Sequence, residues 1–294
     1  MRFVAVNGML VEKERAVVSV FDHGFLYGIG LFETMRTYGG APFLLDRHLA
    51  RLADGCRRLG IRHEPDEGEV RRLIRRLLDA NGLKDGIVRL SVSAGEGPLG
   101  LPEGPYESPV TVIFCKPLPP VPASRPLQLL RLRRNTPEGS VREKSFHYMN
   151  NVLAKRELST YPWAAGAEGL FLDTAGRVAE GVVSNVFFAA GGVLHTPSAE
   201  TGILPGVTRG EVLRLAAEDG IEAREGLYGV DDLWRADELF LTNSGQELVP
   251  VHAVYDETGA VRWRWSGKPG PLTERLKAAY RRETEREAAN AADG

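Results

Sequence analysis

Cysteine and long apolar runs are what the sequence most lacks. Cys56 and Cys115 are the only cysteines in 294 residues, too few for a disulfide framework or a cysteine zinc site. Both fall on apolar patterns and are expected to be buried small hydrophobes. No apolar run approaches the roughly 18 residues that mark a membrane-spanning helix. The N-terminal MRFVAVNGML has neither the length nor the cleavage signal of a secretory peptide, so a cytoplasmic location is expected. Neither sign of charge is in excess, because 37 Lys and Arg face 39 Asp and Glu for a net charge of −2. The basic residues are interspersed with acids in 47–76 and 275–287, a pattern of solvated helix faces that argues against a nucleic-acid partner or a membrane surface. A dinucleotide fingerprint is also missing: Gly24, Gly28 and Gly30 lack its spacing, and no strand-turn-helix unit surrounds them. No internal repeat and no metal-ligand set stands out.

What is present is ordinary globular material, 43% hydrophobic, long enough for two modest domains each with its own core. Strands are predicted at 3–6 and 9–11 around an Asn7-Gly8 turn, and at 32–36 and 42–45 around Gly39-Gly40. Asp46 is expected to cap a helix bearing Leu49, Leu52, Cys56 and Leu59, and a second helix runs from about 67 to 81, ended by Gly82. Two further strands, 87–93 and 110–115, flank a loop rich in glycine and proline. The proline-rich KPLPPVPASRP at 116–126 reads as a stiff spacer. It divides the chain into a small N-terminal domain (1–117), a linker (118–126) and a larger C-terminal domain (127–294). In the second half, strands at 127–132, 170–173, 186–189 and 238–242 alternate with helices at 148–161 and 208–219 and one from about 271. The fold class is therefore α+β or mixed α/β. The polar, alanine-rich residues 285–294 are expected to fray.

The chain is organised around REKSFHYMNNVLAKREL at 142–158. From Tyr148 its spacing is helical, with Met149, Val152, Leu153 and Leu158 near one apolar face. Lys144 precedes that helix, so its amine can point into a cleft. A lysine by itself is usually a solvated surface charge, but two later stretches give this one a context. RVAEGVVSNVFF places Glu180 beside a glycine between two apolar runs, where an unpaired carboxylate would be costly to bury. LPGVTRGEVLRL is a Pro-Gly turn running into a helix, where Thr208 and free backbone N–H groups can hold a phosphate. An amine, an acid for a pyridine nitrogen and a helix N-terminus for a phosphate are what pyridoxal 5′-phosphate asks of a protein.

These stretches carry a family resemblance over nearly the whole chain. FDHGFLYGIGLFETMRTYGG, VRLSVSAGEGPLGL, RNTPEGSVREKSFHYMNNVLAKREL, AEGVVSN, TGILPGVTR and LTNSGQELVP resemble the fold type IV, or class IV aminotransferase-like, pyridoxal-phosphate enzymes. That group holds branched-chain and D-amino acid aminotransferases and 4-amino-4-deoxychorismate lyases, and the chain looks most like the lyases of Gram-positive bacteria. The resemblance implies that Lys144 is the Schiff-base lysine and that Glu180 pairs with the pyridine nitrogen. It implies that Arg51, in HLARL, meets the phosphate together with Val207, Thr208 and Ser244, and that Leu204 lies against the ring. Burial statistics alone would make Arg51 an exposed helix arginine, and Asn185 is as readily read as satisfying local backbone. The family is dimeric, with the glycine-rich N-terminal loop of one subunit reaching toward the other's site, so Tyr27, Phe32 and Glu33 are expected to line it.

Two positions separate members of the group. D-amino acid aminotransferases carry a carboxylate-binding arginine in the loop that here reads SAGEGPLGL, where this chain has Ala94. Branched-chain enzymes have a glycine after the FETMRT glutamate, where this chain has Thr34. The resemblance thus implies a lyase that converts 4-amino-4-deoxychorismate to 4-aminobenzoate and pyruvate, a step of folate biosynthesis. In it Lys144, its basicity tuned by its surroundings, removes the proton on the amine-bearing carbon while Glu180 keeps the ring electron-poor. An aminotransferase acting on branched-chain or D-amino acids would instead need a 2-oxo acid, and a non-catalytic cofactor carrier would turn over neither.

Overall fold

The structure is a computed structural model, and it describes residues 1–292. Chain contacts group into two compact units. The first comprises Met1–Pro119, Glu143–His147 and the segment from Glu283 on; the second comprises Pro120–Arg142 and Tyr148–Arg282. The short segment that carries Lys144 thus belongs to the first unit, although it is flanked in sequence by parts of the second.

In chain order the first unit contains β1 (Phe3–Val6), β2 (Met9–Glu12), α1 (His23–Tyr27), β3 (Gly30–Tyr38), β4 (Ala41–Pro42), α2 (Leu45–Arg58), α3 (Glu67–Ala80), β5 (Ile87–Ser93) and β6 (Val110–Lys116). Asn7 and Gly8 take positive φ (47° and 80°), the geometry a two-residue hairpin loop requires, and they join β1 to β2 in register. The six strands form an antiparallel sheet in the order β2-β1-β6-β5-β3-β4. Leu49, Leu52 and Cys56 of α2 and Ile74, Leu77 and Leu78 of α3 bury against Met35, Val88, Leu90 and Val92 of the sheet. Each fully buried side chain of this kind contributes about 1.5–3 kcal/mol relative to leaving it exposed. Cys56 and Cys115 are buried and form no disulfide, as their apolar patterns require.

The ends of α2 differ from expectation. Leu44, in left-handed conformation at φ 53°, is the N-cap, and no side chain caps the helix. Its N–H is held instead by Glu287 Oε2 at 3.2 Å. Asp46 lies inside the first turn, so its charge favours the helix through the macrodipole without capping it. Leu45 is the first helical residue and is fully buried, so the second strand of this hairpin shortens to Ala41–Pro42.

The second unit contains β7 (Arg125–Leu129), α4 (Met149–Ser159), β8 (Glu168–Leu172), β9 (Val178–Gly181), β10 (Asn185–Ala190), β11 (Val193–Pro197), α5 (Val207–Glu218), β12 (Ala223–Gly226), α6 (Val230–Trp234), β13 (Glu238–Asn243), β14 (Glu247–Tyr255), β15 (Val261–Arg264) and the start of α7 (Pro271–Ala292). Eight strands run in the order β12-β11-β10-β13-β14-β7-β8-β9, and β15 pairs with β14. The sheet is mixed: β11–β12, β14–β7 and β7–β8 are parallel and the other pairs antiparallel. Arg125 and Pro126 belong to β7 rather than to the spacer. The last helix continues to Ala292 where fraying was expected from 285 on; residues 293 and 294 lie outside the described residues. Among the described residues no helix is long and apolar enough to cross a membrane.

Helix α4 keeps only Leu158 of its predicted apolar face buried. Its buried residues are Asn151, Ala154 and Leu158, whereas Met149 (76% exposed), Val152 and Leu153 face outward. The reason is polar: Asn151 donates to the carbonyl of Val182 at 2.6 Å and accepts from Arg134. A buried amide with both needs met outweighs the local apolar pattern.

Candidate active site

Lys144 sits in a segment with no regular structure that runs beside the start of β3. Phe32 donates its N–H to the carbonyl of Lys144 (2.9 Å), and Phe146 donates to the carbonyl of Gly30 (3.0 Å). Leu31 and Ser145 form an antiparallel bridge between these bonds. A side chain at position 30 would overlap the ring of Phe146, so glycine is required there for close approach rather than for a bend. Gly28, in contrast, needs its positive φ of 75° to end α1. The Lys144 ammonium lies 4.7 Å from the ring centroid of Phe32, and the guanidinium of Arg89 lies 3.5 Å from the same centroid. Phe32 therefore offers its ring to two cations.

Beneath this, Glu33 of β3 and His48 and Arg51 of α2 form a buried cluster. Arg51 grips Glu33 with both arms of its fork, Nε to Oε1 at 2.8 Å and Nη2 to Oε2 at 2.6 Å. His48 Nδ1 lies 2.6 Å from Oε2, and since a carboxylate only accepts, the Nδ1 carries the proton. Burial pushes the Glu33 carboxyl up, but Arg51 and His48 outweigh it and hold it at about 2. Burial also holds His48 below its ordinary value. Glu33 is 1% exposed, so its carboxylate is committed to Arg51 and His48 and does not line a substrate surface as expected. Arg51 is likewise not the exposed helix arginine that statistics favour. Tyr27 accepts from the N–H of Gly100 at 2.9 Å through its hydroxyl and meets His23 edge-on.

In the second unit, Glu180 is the penultimate residue of β9 and Asn185 opens β10, with a tight turn between the strands in which Gly181 donates to the carbonyl of Ser184. Glu180 is 5% exposed, yet its carboxylate is not unpaired. Oε1 accepts from Arg134 Nε at 2.8 Å; Oε2 accepts from the N–H of Leu204 at 3.0 Å and from Asn185 Nδ2 at 3.3 Å. Asn185 also donates to the carbonyl of Leu204 at 2.9 Å, so it serves both local backbone and the acid. Leu204 leads through Pro205 to Gly206, the N-cap of α5, which provides no capping side chain. The first-turn N–H groups at Val207 and Thr208 have no partner within the helix. Thr208 Oγ1 lies 3.3 Å from Ser244 Oγ, in the turn between β13 and β14.

The predicted residues thus gather within each unit: Lys144 with Phe32, and Glu33 with Arg51, in the first; Glu180 with Leu204, and Thr208 with Ser244, in the second. Three residues that sequence reasoning did not single out join them. His48 follows Leu45 and precedes Leu52 at helical spacing on the buried face of α2, a signal that was legible. Arg89 and Arg134 lie among alternating or clustered residues that mark neither.

The amino-transferase class IV family description matches residues 30–254, and the chain belongs to that family. It is an enzyme of this type, dependent on pyridoxal 5′-phosphate. It is 42% identical to an aminodeoxychorismate lyase of Bacillus subtilis strain 168, over 95% of this chain and 94% of the relative. Among solved structures, 4-amino-4-deoxychorismate lyase from Pseudomonas aeruginosa matches with a TM-score of 0.81 at 34% identity, over 95% of this chain and 98% of that one. The branched-chain amino acid aminotransferase of Escherichia coli matches with a TM-score of 0.82 at 27% identity, over 95% and 93%.

The residues present suit the cofactor's chemistry. Glu180 offers a buried carboxylate for a ring N–H, and the first turn of α5 with the paired hydroxyls of Thr208 and Ser244 offers donors without charge repulsion to a phosphate. Gly206 cannot carry a side chain, because the side-chain oxygen of Asn185 occupies that position, so the head of α5 packs directly against the Asn185–Glu180 pair.

Proposed function

We propose that this protein cleaves 4-amino-4-deoxychorismate to 4-aminobenzoate and pyruvate, a step of folate biosynthesis carried out in the cytoplasm. The observation that carries the reading is 42% identity to an aminodeoxychorismate lyase across 95% of the chain. A second observation disfavours D-amino acids: Ala94 is 1% exposed and packed into the core of the first unit, which leaves no cation at that position for a substrate carboxylate.

In this reading Lys144 Nζ would hold the cofactor and, as a free amine, would serve as the base for the proton on the substrate's amine-bearing carbon. When bound, pyridoxal phosphate supplies an electron-poor ring that spreads the charge left behind. Glu180 holds the ring nitrogen, and Leu204 lies against the ring. Val207, Thr208, Ser244 and Arg51 hold the phosphate, and Glu33 with His48 keeps the Arg51 fork from rotating. Tyr27 lines the substrate space of the other subunit, and Phe32, 3% exposed, presents its ring to Lys144 and Arg89. Self-association is proposed as well, supported by the outward apolar side chains of Met149, Val152 and Leu153 on α4.

The test is an assay of the cofactor-loaded protein on aminodeoxychorismate, beside a panel of L- and D-amino acids with 2-oxoglutarate or pyruvate. Release of 4-aminobenzoate and pyruvate without any added 2-oxo acid acceptor is expected. Turnover of amino acids alone would replace the lyase with an aminotransferase, the reading that the branched-chain enzyme's fold also supports. Borohydride treatment is expected to fix a phosphopyridoxyl label on the Lys144 peptide, and a label elsewhere overturns that residue's role.

A further inference from the structure

The carboxylate of Glu180 is unequally supplied with donors. The two bonds from Leu204 N and Asn185 Nδ2 both end on Oε2 and match its two lone pairs. Among the described residues, Oε1 accepts one hydrogen bond, from Arg134 Nε. The acceptor site left for another N–H therefore lies on the oxygen that Arg134 holds.

Arg134 is itself fixed from several sides. Its Nη1 donates to Asn150 Oδ1 at 2.8 Å and to Asn135 Oδ1 and Asn151 Oδ1 at 3.3 Å each, and its guanidinium lies 5.3 Å from the centroid of Phe171. The second nearby cation, Arg142, comes no closer than 4.0 Å to Oε1. Its donors are spent on the carbonyls of Gly202 and Asn135, and burial and the field of Arg134 pull it down to about 10, partly offset by Glu180 and Glu138. Burial holds the Glu180 carboxyl above its ordinary value, and of the groups that oppose this Arg134 comes first, ahead of Leu204 N–H and Arg142.

We propose that Arg134 is a positioning residue for the cofactor's ring nitrogen: it keeps Glu180 ionised and turns Oε1 so that the acid accepts, rather than donates, the proton it shares with the ring. The inference rests on the assignment of Glu180 to the ring nitrogen and is independent of which reaction follows. A carboxyl taken out of water without its counter-charge becomes the neutral acid, and a neutral acid cannot keep a pyridine nitrogen protonated. Arginine suits the task because one rigid planar fork reaches Oε1 with one arm and the three asparagine oxygens with another, which a lysine cannot do.

The experiment compares Arg134→Met, Arg134→Lys and Glu180→Gln with the parent protein, each loaded with pyridoxal phosphate. It records cofactor affinity and the visible absorbance of the bound cofactor against pH, with thermal unfolding as a check on folding. Arg134→Met is expected to bind the cofactor at least about tenfold more weakly, roughly 1.4 kcal/mol. Near neutral pH its spectrum should resemble that of Glu180→Gln. As pH rises and Glu180 ionises, the Arg134→Met spectrum should return toward the parent, and that of Glu180→Gln should not. Arg134→Lys should fall between the two, and it carries the test if Arg134→Met fails to fold. A folded Arg134 variant with the parent's affinity and pH profile overturns the proposal and leaves Arg134 a structural ion pair. A Glu180→Gln profile identical to the parent's would instead overturn the assignment of Glu180 itself, and the inference with it.

Discussion

The side-chain oxygen of Asn185 occupies the space that a β-carbon would take on Gly206. Asn185 cannot move aside cheaply, because its amide nitrogen is bonded to Leu204 and Glu180. Gly206→Ala should therefore displace Asn185 and disturb both the acid and the head of α5, weakening cofactor binding about tenfold, or ~1.4 kcal/mol. Adding Asn185→Ala should recover part of the loss, since the clash is then gone. Equilibrium titration with pyridoxal phosphate checks both variants.

Thr208 and Ser244 present hydroxyls 3.3 Å apart beside the uncapped start of α5. Thr208→Val and Ser244→Ala should each weaken pyridoxal phosphate binding by roughly 1 kcal/mol or more. Their combined effect should not be additive, because the two groups touch. Pyridoxal without its phosphate should bind all the variants equally, and a uniform loss for both ligands would remove these hydroxyls from the phosphate's surroundings.

The Glu33 cluster makes the fold acid-sensitive. Its folded carboxyl lies at about 2 against an ordinary 4.5, so the stability it supplies is present above the ordinary value and is lost as pH falls from about 4.5 toward 2. His48 acts in the same direction, since its folded value is lowered and the unfolded chain takes up the proton first. Glu33→Gln should cost about 3–5 kcal/mol at neutral pH, the usual effect of breaking a buried pair, and the gap to the parent should close toward pH 2. Denaturant unfolding at several pH values measures it. A gap independent of pH would sink the electrostatic account.

The outward face of α4 offers a test of self-association. Leu153→Asp should shift the protein toward the monomer in sedimentation velocity while leaving the thermal transition of each subunit nearly unchanged, since Leu153 is 44% exposed. Unchanged sedimentation would remove this face from any interface.

Much of the fold was legible locally. The Asn7-Gly8 hairpin follows from two residues that tolerate positive φ, and α3 is marked at both ends by Asp66, which caps it, and Gly82. The strands β9, β11, β12, β14 and β15 were not read from the sequence: four of them hold only four or five residues, too little alternation to outvote a loop, and the nine-residue β14 carries Pro250, which argues against a central strand. The face of α4 was misread for a different reason: Met149, Val152 and Leu153 form a sound amphipathic pattern, and a buried asparagine overrides it.

The sequence alone determined which chemistry was available: an amine ahead of a helix, an acid between apolar runs, and a Pro-Gly turn opening a helix, each a local arrangement of a few neighbouring residues. Tertiary structure decided which charges meet. Arg134 reaches Glu180 across 46 residues and Glu33 meets Arg51 across 18, and Lys144 groups with the unit that holds Phe32 rather than with its neighbours in sequence. Periodicity reports burial along one element, whereas the partner of a buried charge is chosen by desolvation and geometry between elements, and that choice leaves no regular spacing in the chain.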